Sequence, residues 1–242
     1  MDIVKIEDRL IVALDFDTVA QARALVDALD GMVDFFKVGM GLGLDPEVNS
    51  FLRELIGRGK KVFLDYKYLD IEATIERAVS QAAKLGVTFL TIHHTSQGIV
   101  RAALRGRGES GLKVLAVTVL TSQNEADLRD LGYDCPVDEL VLRRARQAAA
   151  WGCDGVIASG REAEAIRRAV GEDFLIVTPG IRPEGSATGD QKRSVTPAAA
   201  IAAGANALVV GRPILVAEDP VAMAKRIAAE MQSAFRARES DS

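Results

Sequence analysis

The stretch KVFLDYKYLDIEATIERAVSQAAKLGVTFLTIH, residues 61–93, carries the pattern that decides the fold. It opens with Lys61–Asp65, nearly continuous in apolar residues up to its terminal acid, as in a parallel strand covered on both faces. Ile71, Ile75, Ala78, Val79 and Ala82 then recur on one face at helical spacing. Gly86 follows, a residue type that accepts the left-handed conformation ending a helix, and Val87–His93 is a second apolar run. Strand, helix, glycine stop and strand make one βα unit and the start of the next.

The unit recurs in both directions. Further runs lie at Leu10–Asp15, Val33–Val38, Lys113–Val119, Gly155–Ser159, Phe174–Thr178 and Ala207–Val210. Gly31, Gly59, Gly111, Gly152, Gly171 and Gly204 stand shortly before strands, as Gly86 does. Val221, Ala224, Ala228, Met231 and Phe235 form a helical stripe near the end. Eight strands alternating with helices, without a long linker, predict an α/β fold: a (β/α)8 TIM barrel, a single domain over residues 1–242 with a frayed tail from Arg236. The competing architecture is a doubly wound open sheet. That sheet calls for a glycine-rich turn after strand one, where this chain has Asp15–Phe16–Asp17–Thr18.

Composition sets the outer limits. With 48% hydrophobic and 26% charged residues the chain can bury a substantial core. A net charge of −4 gives no reason to expect a nucleic-acid partner, so basic residues that hold an anion must be gathered locally. Cys135 and Cys153 lack metal-ligand spacing and read as thiols of a reducing compartment. The charged N-terminus and the lack of a long apolar run predict a cytoplasmic protein with no membrane segment.

Polar residues collect where the predicted strands end, which in this fold is the face that carries the active site. Asp15, Lys37, Asp65–Tyr66–Lys67 with Asp70 just beyond, and His93 follow strands one to four. Strand five runs into Thr121 and Ser122, strand seven into Pro179–Gly180–Ile181–Arg182, and strand eight into Gly211–Arg212–Pro213. Residues two apart on a strand point the same way, so Asp65 and Lys67 share a side. Together with Lys37 and Asp70 they form an array of two lysines and two carboxylates. Neighbouring carboxylates favour the ammonium form of a lysine, which can then deliver a proton. A structural ion-pair network is the other reading. A second group reads as an anion site. Gly211–Arg212–Pro213 opens a short helix whose amides face an incoming anion, and Arg212 adds a bidentate fork. Arg182, Gln191 and the polar loop Glu184–Ser194 belong to the same side. The alternative here is a surface loop with an ordinary arginine.

Asp65-Tyr-Lys67-Tyr-Leu-Asp70-Ile71 fits the pattern D-x-K-x-x-D-I. Ala13-Leu-Asp15, Lys37-Val-Gly39, Val117-Thr-Val-Leu-Thr121-Ser122, the segment from Thr178 through Arg182 to Gln191, and Val210-Gly211-Arg212-Pro213 accompany it in order. Over essentially the whole chain these motifs resemble the bacterial type of orotidine 5′-phosphate decarboxylase. The resemblance implies decarboxylation of orotidine 5′-phosphate to UMP in de novo pyrimidine biosynthesis, with no metal and no organic cofactor. It implies Lys67 as proton donor within a tetrad of Lys37, Asp65, Lys67 and Asp70. It implies a homodimer in which Asp70, Ile71 and Thr74 reach the neighbouring subunit's site. Asp15 and Lys37 would hold ribose hydroxyls, Thr121 the pyrimidine, and Arg182, Gln191, Gly211 and Arg212 the phosphate.

The chain departs from the family pattern twice. Ile71-Glu72-Ala73-Thr74 stands where the family usually has I-P-N-T; a proline presets a helix start, whereas Glu72 suits it by charge. His93-His94-Thr95-Ser96-Gln97-Gly98 stands where H-A-S-G-G is common, which leaves His93 a rim residue without an assigned role and His94 structural or exposed. Two other functions fit the same barrel. One is a Mg2+-dependent sugar-phosphate decarboxylase or aldolase, like keto-gulonate-phosphate decarboxylase and hexulose-phosphate synthase, which use a similar D-x-K-x-x-D; Thr121-Ser122 and the Arg182–Gln191 loop count against it. The other is a non-catalytic nucleotide-binding barrel, against which stand all four retained charges.

Overall fold

Eight strands form: β1 (Leu10–Ala13), β2 (Phe35–Gly39), β3 (Lys61–Tyr68), β4 (Phe89–His93), β5 (Lys113–Val117), β6 (Gly155–Ile157), β7 (Leu175–Thr178) and β8 (Ala207–Val210). In this computed structural model, which describes residues 9–94, 96–185 and 194–240, each strand pairs in parallel with the next and β8 returns to β1. The sheet is a closed barrel, not the open doubly wound alternative.

The helices are α1 (Val19–Ala28), α2 (Val48–Gly57), α3 (Glu72–Leu85), α4 (Gln97–Arg107), α5 (Glu125–Asp130), α6 (Val137–Ala150), α7 (Ala163–Val170), α8 (Pro197–Ala202), α9 (Arg212–Leu215) and α10 (Pro220–Ser240). Helix α3 shows why these segments are helical. Ile75, Val79 and Ala82 form its buried stripe, Glu72 and Lys84 complement the helix dipole at its two ends, and Gly86 closes it at φ 89°. Ile71, expected on that stripe, is instead the N-cap of α3 and is 71% exposed. Of the glycines expected before strands, Gly111 alone lacks a positive φ; α4 is stopped earlier, by Gly108 at φ 56°. The tail expected to fray is helical as far as Ser240, and Arg238 Nη2 donates to Glu172 Oε2 at 2.9 Å. Among the described residues no helix is long and apolar enough to cross a membrane.

Alternation along the strands sorts side chains into two apolar layers. Outward residues such as Val12, Phe36, Leu64, Leu90 and Val210 pack against the helices. Inward residues Ile11, Ala13, Phe35, Phe63, Phe89, Leu115, Val117, Ile157, Val177, Ala207 and Val209 fill the barrel. Phe89 packs edge-on to Phe35 at 4.9 Å and to Phe63 at 6.0 Å between ring centres. Two residues further along the same inward rows come Asp15 after Ala13, Lys37 after Phe35, Asp65 after Phe63 and Thr91 after Phe89. An aromatic floor therefore lies directly beneath a polar ring, at the carboxyl ends of the strands.

The opposite end is held by ion pairs, with Lys60 and Arg167 buried among them. Lys60 Nζ pairs with Asp30 at 2.7 Å and Asp34 at 2.6 Å. Asp154 is met by Arg107 at 2.6 Å and Lys113 at 3.1 Å. Buried Arg167 donates to the carbonyls of Gly171, Phe174 and Gly204 and to Asn206 Oδ1, so it ties α7 to the segments that enter β7 and β8. Cys153 lies near this end, and burial pushes its thiol up to about 12, with the Asp154 charge adding to the shift.

Candidate active site

At the carboxyl end, β1, β2 and β3 place one charged side chain each at the barrel mouth, and β3 adds a second. The result is an alternating row. Asp15 Oδ1 accepts from Lys37 Nζ at 3.0 Å, Lys37 Nζ lies 3.5 Å from Asp65 Oδ2, and Lys67 Nζ donates to Asp65 Oδ1 at 2.9 Å. Burial falls along the row on either side of its middle: Asp65 and Lys37 are enclosed, Lys67 is partly open and Asp15 is exposed. Burial alone would raise the Asp65 carboxyl. The charges of Lys37 and Lys67, with hydrogen bonds from Lys67 and Thr91, outweigh it and hold Asp65 below the usual carboxylate range. Gly39 keeps space beside this row, since a Cβ there would sit 3.2 Å from Lys37 Nζ and 3.4 Å from Asp15 Oδ1.

Asp65 and Lys67 share a side, as their spacing predicts, but not along a regular strand. Lys67 has φ 47°, and among the described residues it is the one non-glycine with a positive φ. The register of β3 against β4 shifts between Leu64 and Tyr68 around it. The hydroxyl of fully buried Thr91 accepts from the Lys67 amide at 2.9 Å and donates to Asp65 Oδ1 at 2.9 Å. The strand-end reading of the sequence passed over Thr91; the inward parity Phe89, Thr91 was the signal that marks it.

The row lines a cavity of about 230 Å3 together with Thr121, Gly180, Arg182, Gly211 and Arg212, and a Cβ on Gly211 would lie 3.4 Å from Asp15 Oδ2 at the end of the row. Gly211 is the N-cap of the four-residue helix α9, and Arg212 and Pro213 open that helix. Arg182 Nη1 donates to its neighbour's carbonyl at Ile181, at 2.8 Å, and the Arg182 amide donates to Val195 O at 2.9 Å. An isolated Ile181–Val195 bridge thus joins the two ends of the polar loop. Gln191, on that loop, lies outside the described residues.

Thr121 follows a segment anchored from behind. Thr118 Oγ1 donates to Ile157 O at 2.9 Å, while Arg144 on α6 donates to Thr118 O and, at 2.7 Å, to Tyr133 Oη. Nothing in its spacing distinguishes Arg144 from other helix-surface arginines. His94 is buried and stacks on Trp151 with ring centres 4.8 Å apart; burial, and then the Arg144 charge, lower it to about 4. That makes it a neutral packing residue. His93 is half-buried on the rim, lowered by burial and then by Lys67.

Asp70 stands apart from the row. It is exposed, it does not line the cavity, and its Oδ1 accepts from the Ile71 amide at 2.6 Å. Within one chain the second carboxylate of the array is therefore Asp15 rather than Asp70. Ile71 and partly buried Thr74 lie beside Asp70, also outside the cavity. Next to them, Met40, Leu44 and Leu69 are exposed, and with Tyr66, Tyr68 and His93 they line a shallow apolar depression.

A sequence model of the "Orotidine 5′-phosphate decarboxylase / HUMPS family" matches residues 8–227. The chain belongs to that family. The orotidine 5′-phosphate decarboxylase of Nitrobacter winogradskyi is 51% identical over 229 residues, 95% of this chain and 95% of the relative. That of Afipia carboxidovorans is 54% identical over 93% of this chain and 94% of its own length. The crystal structure of orotidine 5′-phosphate decarboxylase from Lactobacillus acidophilus superposes with a TM-score of 0.81 at 38% identity, covering 93% of this chain and 99% of the other. Where the decarboxylase family pattern has proline, Glu72 sits in the first turn of α3, 3.7 Å from Arg105 of α4. A Cβ on Gly98 would collide with Glu72 Oε1, so the glycine makes room for the glutamate.

Proposed function

We propose that this enzyme removes CO2 from C6 of orotidine 5′-phosphate and protonates the same carbon to give UMP, with Lys67 as the acid. One observation carries the reading: a buried acid between two lysines lines one cavity together with Gly211 and Arg212. In the first step the C6–carboxylate bond breaks, CO2 departs, and its electron pair stays on C6. That pair occupies an in-plane orbital that ring resonance barely stabilises, so the protein's field has to do so. The Lys67 ammonium supplies positive charge there and then gives its proton to C6; the resulting amine regains a proton from solvent. Asp65 orients Lys67 through the 2.9 Å bond, and Lys37 keeps Asp65 ionised.

In this reading Asp15 and Lys37 hold ribose hydroxyls, Thr121 the pyrimidine, and Gly211, Arg212 and Arg182 the phosphate, together with Gln191, which lies outside the described residues. The match of relatives named for this activity over 93–95% of the chain supports the assignment over the sugar-phosphate alternative. A homodimer completes the site in this reading, with Asp70, Ile71 and Thr74 crossing to the neighbour. The exposed apolar group around Asp70, which includes Leu44 at 91% exposure, supports that face as the interface.

The test follows loss of orotate absorbance in excess EDTA. The wild-type enzyme is expected to turn over orotidine 5′-phosphate undiminished, and Arg212→Ala to lower kcat/KM about 100-fold, as for loss of a charge-assisted bond of about 1.5–3 kcal/mol. Arg212 meets no ring atom in this assignment, so the loss would report use of remote binding energy. An EDTA-sensitive wild type, or Arg212→Ala at wild-type kcat/KM, would overturn the assignment.

A further inference from the structure

The geometry points to Thr91 as a positioning residue: its hydroxyl holds the Lys67 backbone in its left-handed turn and the Asp65 carboxylate in place, so that the Lys67 ammonium is aimed at the cavity. The inference rests on the decarboxylase reading above. Three independent features meet at this hydroxyl. Lys67 sits at φ 47°, a region costing roughly 1–2 kcal/mol for a residue with a side chain, so something must hold it there. Regular β3–β4 pairing lapses between Leu64 and Tyr68, and within that gap the Lys67 amide donates to Thr91 Oγ1 rather than to a strand carbonyl. The same oxygen donates its own proton to Asp65 Oδ1 at 2.9 Å, the very atom that accepts from Lys67 Nζ at 2.9 Å.

The three contacts form a closed ring: Lys67 amide to Thr91, Thr91 to Asp65, Asp65 to the Lys67 ammonium. A hydroxyl is the group that fits, because it both accepts and donates at one atom. Its methyl lies within a fully buried side chain above Phe89, so threonine also fills the apolar space. Asp65 and Thr91 come from different strands, so the ring fixes the lysine against the barrel rather than against its own loop.

The experiment compares Thr91→Val, which keeps shape and removes the hydroxyl, with Thr91→Ser, which restores it. Thr91→Val is expected to lower kcat about 100-fold, the scale of a small misplacement of a reacting group, with KM within a few-fold of wild type. Thr91→Ser should recover most of that loss. Without the hydroxyl donor Asp65 titrates at higher pH, so the acid limb of kcat/KM should move up in Thr91→Val and return in Thr91→Ser. If Thr91→Val does not accumulate as a folded protein, Thr91→Cys serves the same comparison, since a thiol is a weak donor and acceptor of similar size. A valine variant with kcat within threefold of wild type, or a serine variant no better than valine, would overturn the inference. Absence of turnover by the wild-type enzyme would instead overturn the decarboxylase reading and is measured first.

Discussion

Lys67→Ala is expected to cut decarboxylation by about 10^4-fold or more, because one ammonium performs two tasks that vanish together: general-acid transfer, worth about 10²–10⁴, and charge stabilisation, worth about 10²–10³. The two contributions act on one atom pair and do not simply multiply, so the lower figure is the safer expectation. The fold should survive. Asp65 loses one partner but keeps Lys37 at 3.5 Å and the Thr91 hydroxyl at 2.9 Å, so no buried charge is left alone. Residue 67 is also 30% exposed through its side chain, and truncation there opens no sealed cavity. Rates by orotate absorbance and melting by circular dichroism separate the two outcomes. Turnover within tenfold of wild type in a folded Lys67→Ala protein would remove Lys67 from the chemistry.

Arg167→Met is expected to do the reverse: lower stability by about 3–5 kcal/mol while leaving kcat per folded molecule unchanged. Methionine matches the length of the stem but brings no donor. The carbonyls of Gly171, Phe174 and Gly204 and the side chain of Asn206 then lose a shared buried partner, at about 1–3 kcal/mol for each group that water cannot reach. For a chain of this size the loss corresponds to a fall in Tm of roughly 10 °C. Activity should persist because these contacts lie where chain enters β7 and β8, at the end of the barrel opposite the cavity. A Tm within 2 °C of wild type, on the order of half a kcal/mol, would show that the guanidinium is dispensable there.

The barrel was largely legible because its signal is local. Parallel strands buried on both faces are apolar throughout, and each is bounded by helix-stopping residues that need no tertiary knowledge. Strand ends were less so. The apolar runs ending at Asp15, Val119 and Ser159 outlast the paired strands, which stop at Ala13, Val117 and Ile157, because strand pairing depends on the neighbouring chain and not on hydrophobicity. Strand β3 ran longer than its apolar segment for the converse reason, held to Tyr68 by β4.

The candidate site divides in the same way. Asp15, Lys37, Asp65 and Lys67 could be picked out one by one, as charges at the ends of apolar strands. Their order in the row could not, since it depends on how far each strand is staggered against the next. Thr91 was hidden for that reason: its hydroxyl matters only because β4 brings it opposite a break in β3, 24 positions earlier in the chain. His94 reads from the sequence as structural or exposed, and spacing alone does not choose between the two. Its stack on Trp151, and burial that keeps it neutral, make it a packing element. Asp70 carries the motif's last acid yet lies outside its own chain's cavity, a placement no spacing rule reveals.

A crystal structure of the enzyme with UMP bound tests the central claim most directly. It should place C6 within about 3.5 Å of Lys67 Nζ, the near-attack range for a transferring proton, with the phosphate at Gly211 and Arg212 and Asp70 of a second copy beside the Lys67 ammonium. A nucleotide lying with its ring at Arg212, or a Lys67 amine directed out of the cavity, would contradict it.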